Sequence, residues 1–102
     1  MYAVIRRYQF DQSASEALDR NLREHFVPLL KEVPGFVTYY WLNSGAGSGA
    51  SLSVFESKEG AEESVRAAAN FVQQHLSGLT MSKPEILEGE VQAQASGKAP
   101  VR

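Results

Sequence analysis

Residues 36–42 read Phe-Val-Thr-Tyr-Tyr-Trp-Leu, β-branched and aromatic almost without interruption. That composition is the signature of a strand. Successive side chains on a strand point to opposite faces, so Phe36, Tyr40 and Leu42 are expected on one side and Val37, Tyr39 and Trp41 on the other. A sheet with one wet face alternates apolar and polar residues. This stretch does not alternate, so both of its faces need a cover.

The rest of the chain supplies the partners. Tyr2–Phe10 reads as a first strand, and Asp11-Gln12-Ser13 breaks it. Ser13 and Glu16 have the spacing of a capping box. Leu18, Leu22, Phe26, Leu29 and Val33 then recur at helical spacing, predicting a helix to about Val33. Pro28 lacks a backbone N–H, which predicts a bend or local break near Glu24–Val27. Pro34-Gly35 ends that helix and leads into the Phe36–Asn43 strand.

Ser44 to Gly49 is a glycine-rich link, expected to be a mobile hairpin tip, and Ala50–Glu56 is the returning strand. There Leu52 and Val54 alternate with Ser51 and Ser53. Ser57 is placed to cap a second helix reaching about Gly78, with Ala61, Val65, Ala68, Val72, Leu76 and Leu79 as its apolar stripe. Pro84 to about Ala93 is the last strand, and the polar residues 94–102 are expected to form a disordered tail.

This order, β-α-β-β-α-β, predicts an α+β ferredoxin-like domain over residues 1–93: a four-stranded antiparallel sheet with two helices on one face. Two helices cover one face. The second face of Phe36–Leu42 is therefore expected to be covered by another copy, in a homodimer built through the sheet faces.

Composition narrows the function. The 102 residues include no cysteine, which excludes disulfides, thiolate metal sites and a cysteine nucleophile. Net charge is −2, and Arg6-Arg7 is the one adjacent basic pair, so neither nucleic acid nor a membrane surface is an expected partner. No apolar run approaches the roughly 20 residues of a membrane span, and a cytoplasmic location is the default expectation.

Two histidines, His25 and His75, fall on the inner stripes of the two helices and are the candidate catalytic groups, since histidine exchanges protons near neutral pH. They are too few for a metal site, and no metal or other cofactor is expected. Tyr40, Trp41 and Phe71 are the candidate pocket-lining residues for a small aromatic ligand. Most of the aromatic residues are expected to be core or dimer interface instead. Arg6 and Arg7 point to opposite faces of the first strand, and the one facing the helices has two readings, an anchor for an anionic or enolate oxygen and the expected one, a salt bridge at the rim.

Three segments resemble the antibiotic-biosynthesis-monooxygenase-like (ABM) domains of the dimeric α/β-barrel superfamily. They are Ile5-Arg6-Arg7-Tyr8, Phe26-Val27-Pro28-Leu29-Leu30 with Val33-Pro34-Gly35-Phe36, and Val54-Phe55-Glu56. The resemblance covers about Tyr2 to Val91 and rests on fold markers, not on a catalytic signature. It implies a homodimer with a pocket in each subunit between helices and sheet. It also implies cofactor-independent oxygenation of phenolic or quinol-type compounds, or haem degradation. The haem-degrading branch carries an asparagine on its first strand, which this chain lacks, and the single tryptophan here, Trp41, is on the second strand. The chain looks most similar to the branch without assigned activity. Two functions are thereby expected: a monooxygenase on a small phenol, or a non-catalytic small-ligand-binding or stress-associated dimeric module.

Overall fold

The computed structural model describes residues 1–79 and 81–97; the part of the expected tail at 98–102 lies outside the described residues. Four strands, β1 (Tyr2–Gln9), β2 (Phe36–Asn43), β3 (Ser48–Phe55) and β4 (Glu85–Glu90), form one antiparallel sheet in the order β2-β3-β1-β4. Helices α1 (Ser15–Asn21), α2 (Val27–Lys31) and α3 (Lys58–His75) accompany it. This is the expected ferredoxin-like α+β arrangement. No helix among the described residues is long and apolar enough to cross a membrane.

The core lies between α-helices and sheet. Val4 of β1 and Phe55 of β3 meet Leu18, Leu30, Phe71 and Leu76 from the helical layer, each at most 2 % exposed. Burying such side chains is worth about 1.5–3 kcal/mol each, the main favourable contribution available to a small domain.

The first helical segment is interrupted where Pro28 predicts it. Between α1 and α2, Leu22–Phe26 forms a π-helical turn, with the Val27 N–H bonding the Leu22 carbonyl. Pro28 cannot donate to the Glu24 carbonyl one turn back, and the wider turn accommodates that missing bond. The extra residue shifts the helical phase. The buried stripe becomes Leu18, Leu22, Phe26, Leu30 and Val33, while Leu29, expected inside, is 46 % exposed.

The caps differ at one end. Asp11, not Ser13, starts the first helical segment: its Oδ1 accepts from the Ser13 N–H at 2.9 Å and the Ser13 hydroxyl at 2.7 Å. Ser57 caps α3 as expected, accepting from the Gly60 N–H.

A bulge reorganises β2. Phe36 and Thr38 pair with consecutive residues Phe55 and Val54, leaving Val37 as the extra residue. Phe36 therefore shares the helix-facing side with Tyr39 and Trp41 and packs edge-on against Phe55, ring centroids 5.8 Å apart. Simple alternation had placed it with Tyr40 and Leu42. Those two remain on the opposite face, 61 % and 69 % exposed.

The hairpin tip is pinned rather than mobile. The Gly47 carbonyl accepts from the Phe10 N–H at 2.9 Å, and the Ser44 N–H bonds the Ser48 carbonyl at 3.0 Å. Gly49 lies directly under the Trp41 ring: a Cβ there would stand 2.6 Å from Cη2 of Trp41 and 2.7 Å from the Leu42 carbonyl. Gly49→Ala is thus expected to destabilise the fold by about 1–3 kcal/mol and to displace Trp41. Urea unfolding gives the first quantity. A changed emission maximum of the single tryptophan gives the second.

Candidate functional site

β1 sends Val4, Arg6 and Tyr8 toward the helices, because residues two apart share a face. β2 sends Tyr39 and Trp41 to the same side, and β3 sends Ser51. Between these side chains and Phe71 on α3 lies a small cavity of about 20 Å³, room for about one water molecule. Leu22, Tyr39 and Trp41 form its wall on one side. Beyond the same three residues a cleft of about 350 Å³ opens, bordered also by Asp19, Arg23 and Asn43. That volume falls within the range of small-molecule sites.

Trp41 is fixed in this partition by polar contacts. Its indole N–H donates to Asp19 Oδ1 at 2.8 Å. The Asn43 amide donates to the same oxygen at 2.9 Å and to Ser15 Oγ at 2.6 Å. The indole face meets Tyr8 and Phe10, both at 6.4 Å between centroids. Tyr39 is held edge-on by Phe26 at 5.7 Å, and Phe26 packs on Phe71 at 5.1 Å.

Arg6 is the unexpected member. It is 5 % exposed, and it forms no rim salt bridge. Its Nη2 donates to the Val65 carbonyl of α3 at 3.1 Å, and its Nε is buried without a hydrogen-bond partner. The one ion pair among the described residues joins Arg66 and Glu63 on the surface. Burial raises the pKa of the Tyr8 phenol, while the Arg6 charge and a hydrogen bond to it pull it part of the way back. Tyr39 is raised further by burial and by Tyr8, against a smaller opposing pull from Arg6. Both hydroxyls stay protonated at neutral pH and are available as donors.

The sequence-derived site residues divide. Trp41 and Phe71 line the cavity. Tyr40 does not: it lies on the far face of the sheet, and its neighbour Tyr39 occupies the inner position. His25 and His75 are both exposed rather than inward. His25 lies within the π-helical turn and faces out, while Phe26 keeps the inner position expected of it. The two imidazoles nonetheless come together, stacked with centroids 5.6 Å apart and planes at 12°. His75 also stacks on Phe71 at 4.8 Å, so Phe71 has the histidine pair on one side and the cavity on the other. Among the described residues no three His, Asp or Glu side chains converge to hold a metal ion.

The raised Tyr39 pKa has a signed consequence. Above the ordinary phenol value of about 10, the unfolded chain loses the proton first, so the native state binds more protons and stability falls as pH rises. Tyr39→Phe is expected to flatten this alkaline loss. Urea midpoints measured for both proteins between neutral and strongly alkaline pH check it.

Neither a protein-family model nor a curated protein matches the chain in sequence. Solved structures do match in shape. A protein of unknown function from Nitrosomonas europaea superposes with a TM-score of 0.77 at 21% identity, over 96% of this chain and 95% of that one. The haem degrader MhuD of Mycobacterium tuberculosis, with two haems in its active site, gives 0.73 at 18% identity, over 94% and 100%. A monooxygenase from the gene ActVA-Orf6 of Streptomyces coelicolor, in complex with nanaomycin D, gives 0.74 at 14% identity, over 95% and 92%. At these identities the likeness speaks for architecture: this chain has the ferredoxin-like α+β fold, the one implied by its resemblance to the antibiotic-biosynthesis-monooxygenase-like domains.

Proposed function

We propose that this chain is a homodimeric, monooxygenase-like protein that acts on a small phenolic or quinol-type compound. The observation that carries the reading is the cleft of about 350 Å³ walled by Tyr39 and Trp41, backed by a small cavity that Tyr8 and Tyr39 help to line. A flat ring would stack on Trp41 and direct an oxygen substituent inward. The neighbouring folds include a monooxygenase in complex with nanaomycin D, which supports the monooxygenase reading. An electron-rich ring of this kind reacts with dioxygen directly. In the keto tautomer of such a ring a CH₂ becomes C=O: one oxygen atom stays in the product and the other leaves as water, with all four electrons coming from the substrate. Protein donors fixed beside the substrate oxygen favour this step without having to reorganise.

The dimer rests on the outer sheet face. Ile5, Tyr40, Leu42 and Leu87 are exposed there, with Leu52 and Val54 between them. An apolar face this continuous marks an interaction surface, and a second copy offers the same face. Leu52→Lys, at its centre, is expected to give a monomer in sedimentation velocity where the wild type gives a dimer.

A second reading, a non-catalytic ligand-binding module, is favoured by the small cavity and the outward histidines. Oxygen uptake with 1,4-dihydroxynaphthalene separates the two. The monooxygenase reading expects saturable uptake, a loss on the order of a hundredfold in Tyr39→Phe, and turnover largely retained in a His25→Ala, His75→Ala double variant. Saturable binding with no uptake above the buffer rate would leave the binding module. A large loss in the double variant would return the proton-transfer role to the histidines.

A further inference from the structure

The Trp41 indole is a wall of the inner cavity and of the outer cleft. Gly49 lies beneath it and offers no side chain to it. Tyr8 and Phe10 meet it as tilted rings, at 58° and 37°, and apolar contact of this kind has little directional force. An indole has a single polar handle, its N–H, and Asp19 Oδ1 takes it at 2.8 Å. Arg23 follows Asp19 by four residues, the spacing at which an acid and a base pair along a helix, and it borders the same cleft. No ion pair joins them; the one among the described residues is Arg66–Glu63. The Asp19 carboxylate instead meets β2, where Asn43 also donates to Oδ1, at 2.9 Å. Asn43 shares the face of Trp41 and reaches back to Ser15, one turn before Asp19 on α1. A single charged oxygen, of the kind that strengthens hydrogen bonds, thus ties the end of β2 to α1 and orients the indole.

We infer that Asp19 is a positioning residue of the candidate site: by holding the Trp41 indole N–H it fixes the wall on which a flat aromatic ligand of the cleft stacks. The inference rests on the reading of the cleft as an aromatic-ligand site and names the residue that keeps that site in binding geometry. A stacking wall that is free to turn must be ordered when the ligand arrives, and that loss of freedom weakens binding. A wall already oriented by Asp19 loses nothing further. Asp19 acts through Trp41, and its contribution is the acceptor oxygen. An asparagine at position 19 would present the same oxygen without the charge, whereas alanine or leucine would leave the indole N–H without its acceptor.

The test pairs a spectroscopic signature with an affinity. Time-resolved fluorescence anisotropy of the single tryptophan reports whether the indole moves independently of the protein, and equilibrium dialysis of 1-naphthol reports binding without relying on that emission. Circular dichroism confirms that each variant is folded. In the wild type the indole is expected to tumble with the whole protein. Asp19→Ala, which leaves a gap, and Asp19→Leu, which keeps the bulk, are both expected to add a fast anisotropy decay and to weaken 1-naphthol binding by about threefold to tenfold. Asp19→Asn is expected to restore the slow decay and to bind within about twofold of the wild type. Unchanged affinity in folded Asp19→Ala and Asp19→Leu overturns the role of Asp19 and leaves the cleft reading standing. Absence of saturable binding in the wild type overturns both. A weakened affinity with the indole still rigid, a loss in Asp19→Ala that Asp19→Leu repairs, or a loss in Asp19→Asn equal to that in Asp19→Ala would each assign the effect to something other than the held indole and overturn the inference.

Discussion

The helices cover one face of the sheet, and the bulge at Val37 decides which β2 side chains lie beneath them. One extra residue at the start of the strand brings Phe36 to the side of Tyr39 and Trp41, against Phe55. Without it, Phe36 would face outward and the edge of the core beside Phe55 would be open. The same residue leaves Tyr40 and Leu42 on the outer face, beside Leu52 and opposite the helices. The bulge thus adds Phe36 to the inner aromatics and leaves Tyr40 and Leu42 in the outer apolar patch. A slip of one residue would exchange them wholesale, since the side-chain period of a strand is two.

Against this apolar interior Arg6 stands out. Removing a charge from water costs far more than one neutral hydrogen bond returns. The Val65 carbonyl and the Tyr8 phenol supply its hydrogen bonds, and Nε has none. Residues that oppose local stability rules tend to gather at functional sites, where the rest of the fold offsets them. Leu18, Phe71 and Trp41 line the same small cavity as Arg6, and α3 lies against it through the Val65 carbonyl. Its neighbours respond in the expected sense: burial raises both nearby phenols, and the guanidinium opposes that rise.

Much of this architecture is legible in the residue order. The Phe36–Asn43 strand has the observed bounds, Ser57 caps the helix it was expected to cap, and Pro28 breaks its helix at the adjoining turn. These features depend on local rules of alternation, capping and the missing proline N–H. What escaped depends on counting through a defect. A helical wheel with 3.6 residues per turn places His25 and Leu29 inside beside Phe26; after the π-helical turn at Leu22–Phe26, Phe26 stays inside, His25 is exposed and Leu30 takes the place of Leu29. Alternation places Phe36 with Tyr40, and the bulge separates them. Arg6 escaped for another reason. The period-two pattern of β1 states that one of two adjacent arginines faces the helices, but an arginine on a short strand is ordinarily paired at a rim. Arg6 is buried beneath α3, whose Val65 carbonyl it meets, and no feature of β1 encodes that contact. Tyr39 could have been found, because it shares the face of Trp41.

The two defects also meet at one place. Leu22 begins the π-helical turn, and Tyr39 and Trp41 follow the bulge; these three side chains form the partition between the inner cavity and the outer cleft. A regular α-helix would carry one residue fewer across this region and present a different side chain to the sheet. A regular β2 would keep Tyr39 and Trp41 inside but lose Phe36, which closes the core beyond them. Irregular turns and bulges cost hydrogen-bond regularity, and they recur where a side chain must be re-aimed. Here Pro28 adjoins the first and Val37 occupies the second, and the departures from regular periodicity bring Leu30 and Phe36 into the core that backs the candidate site.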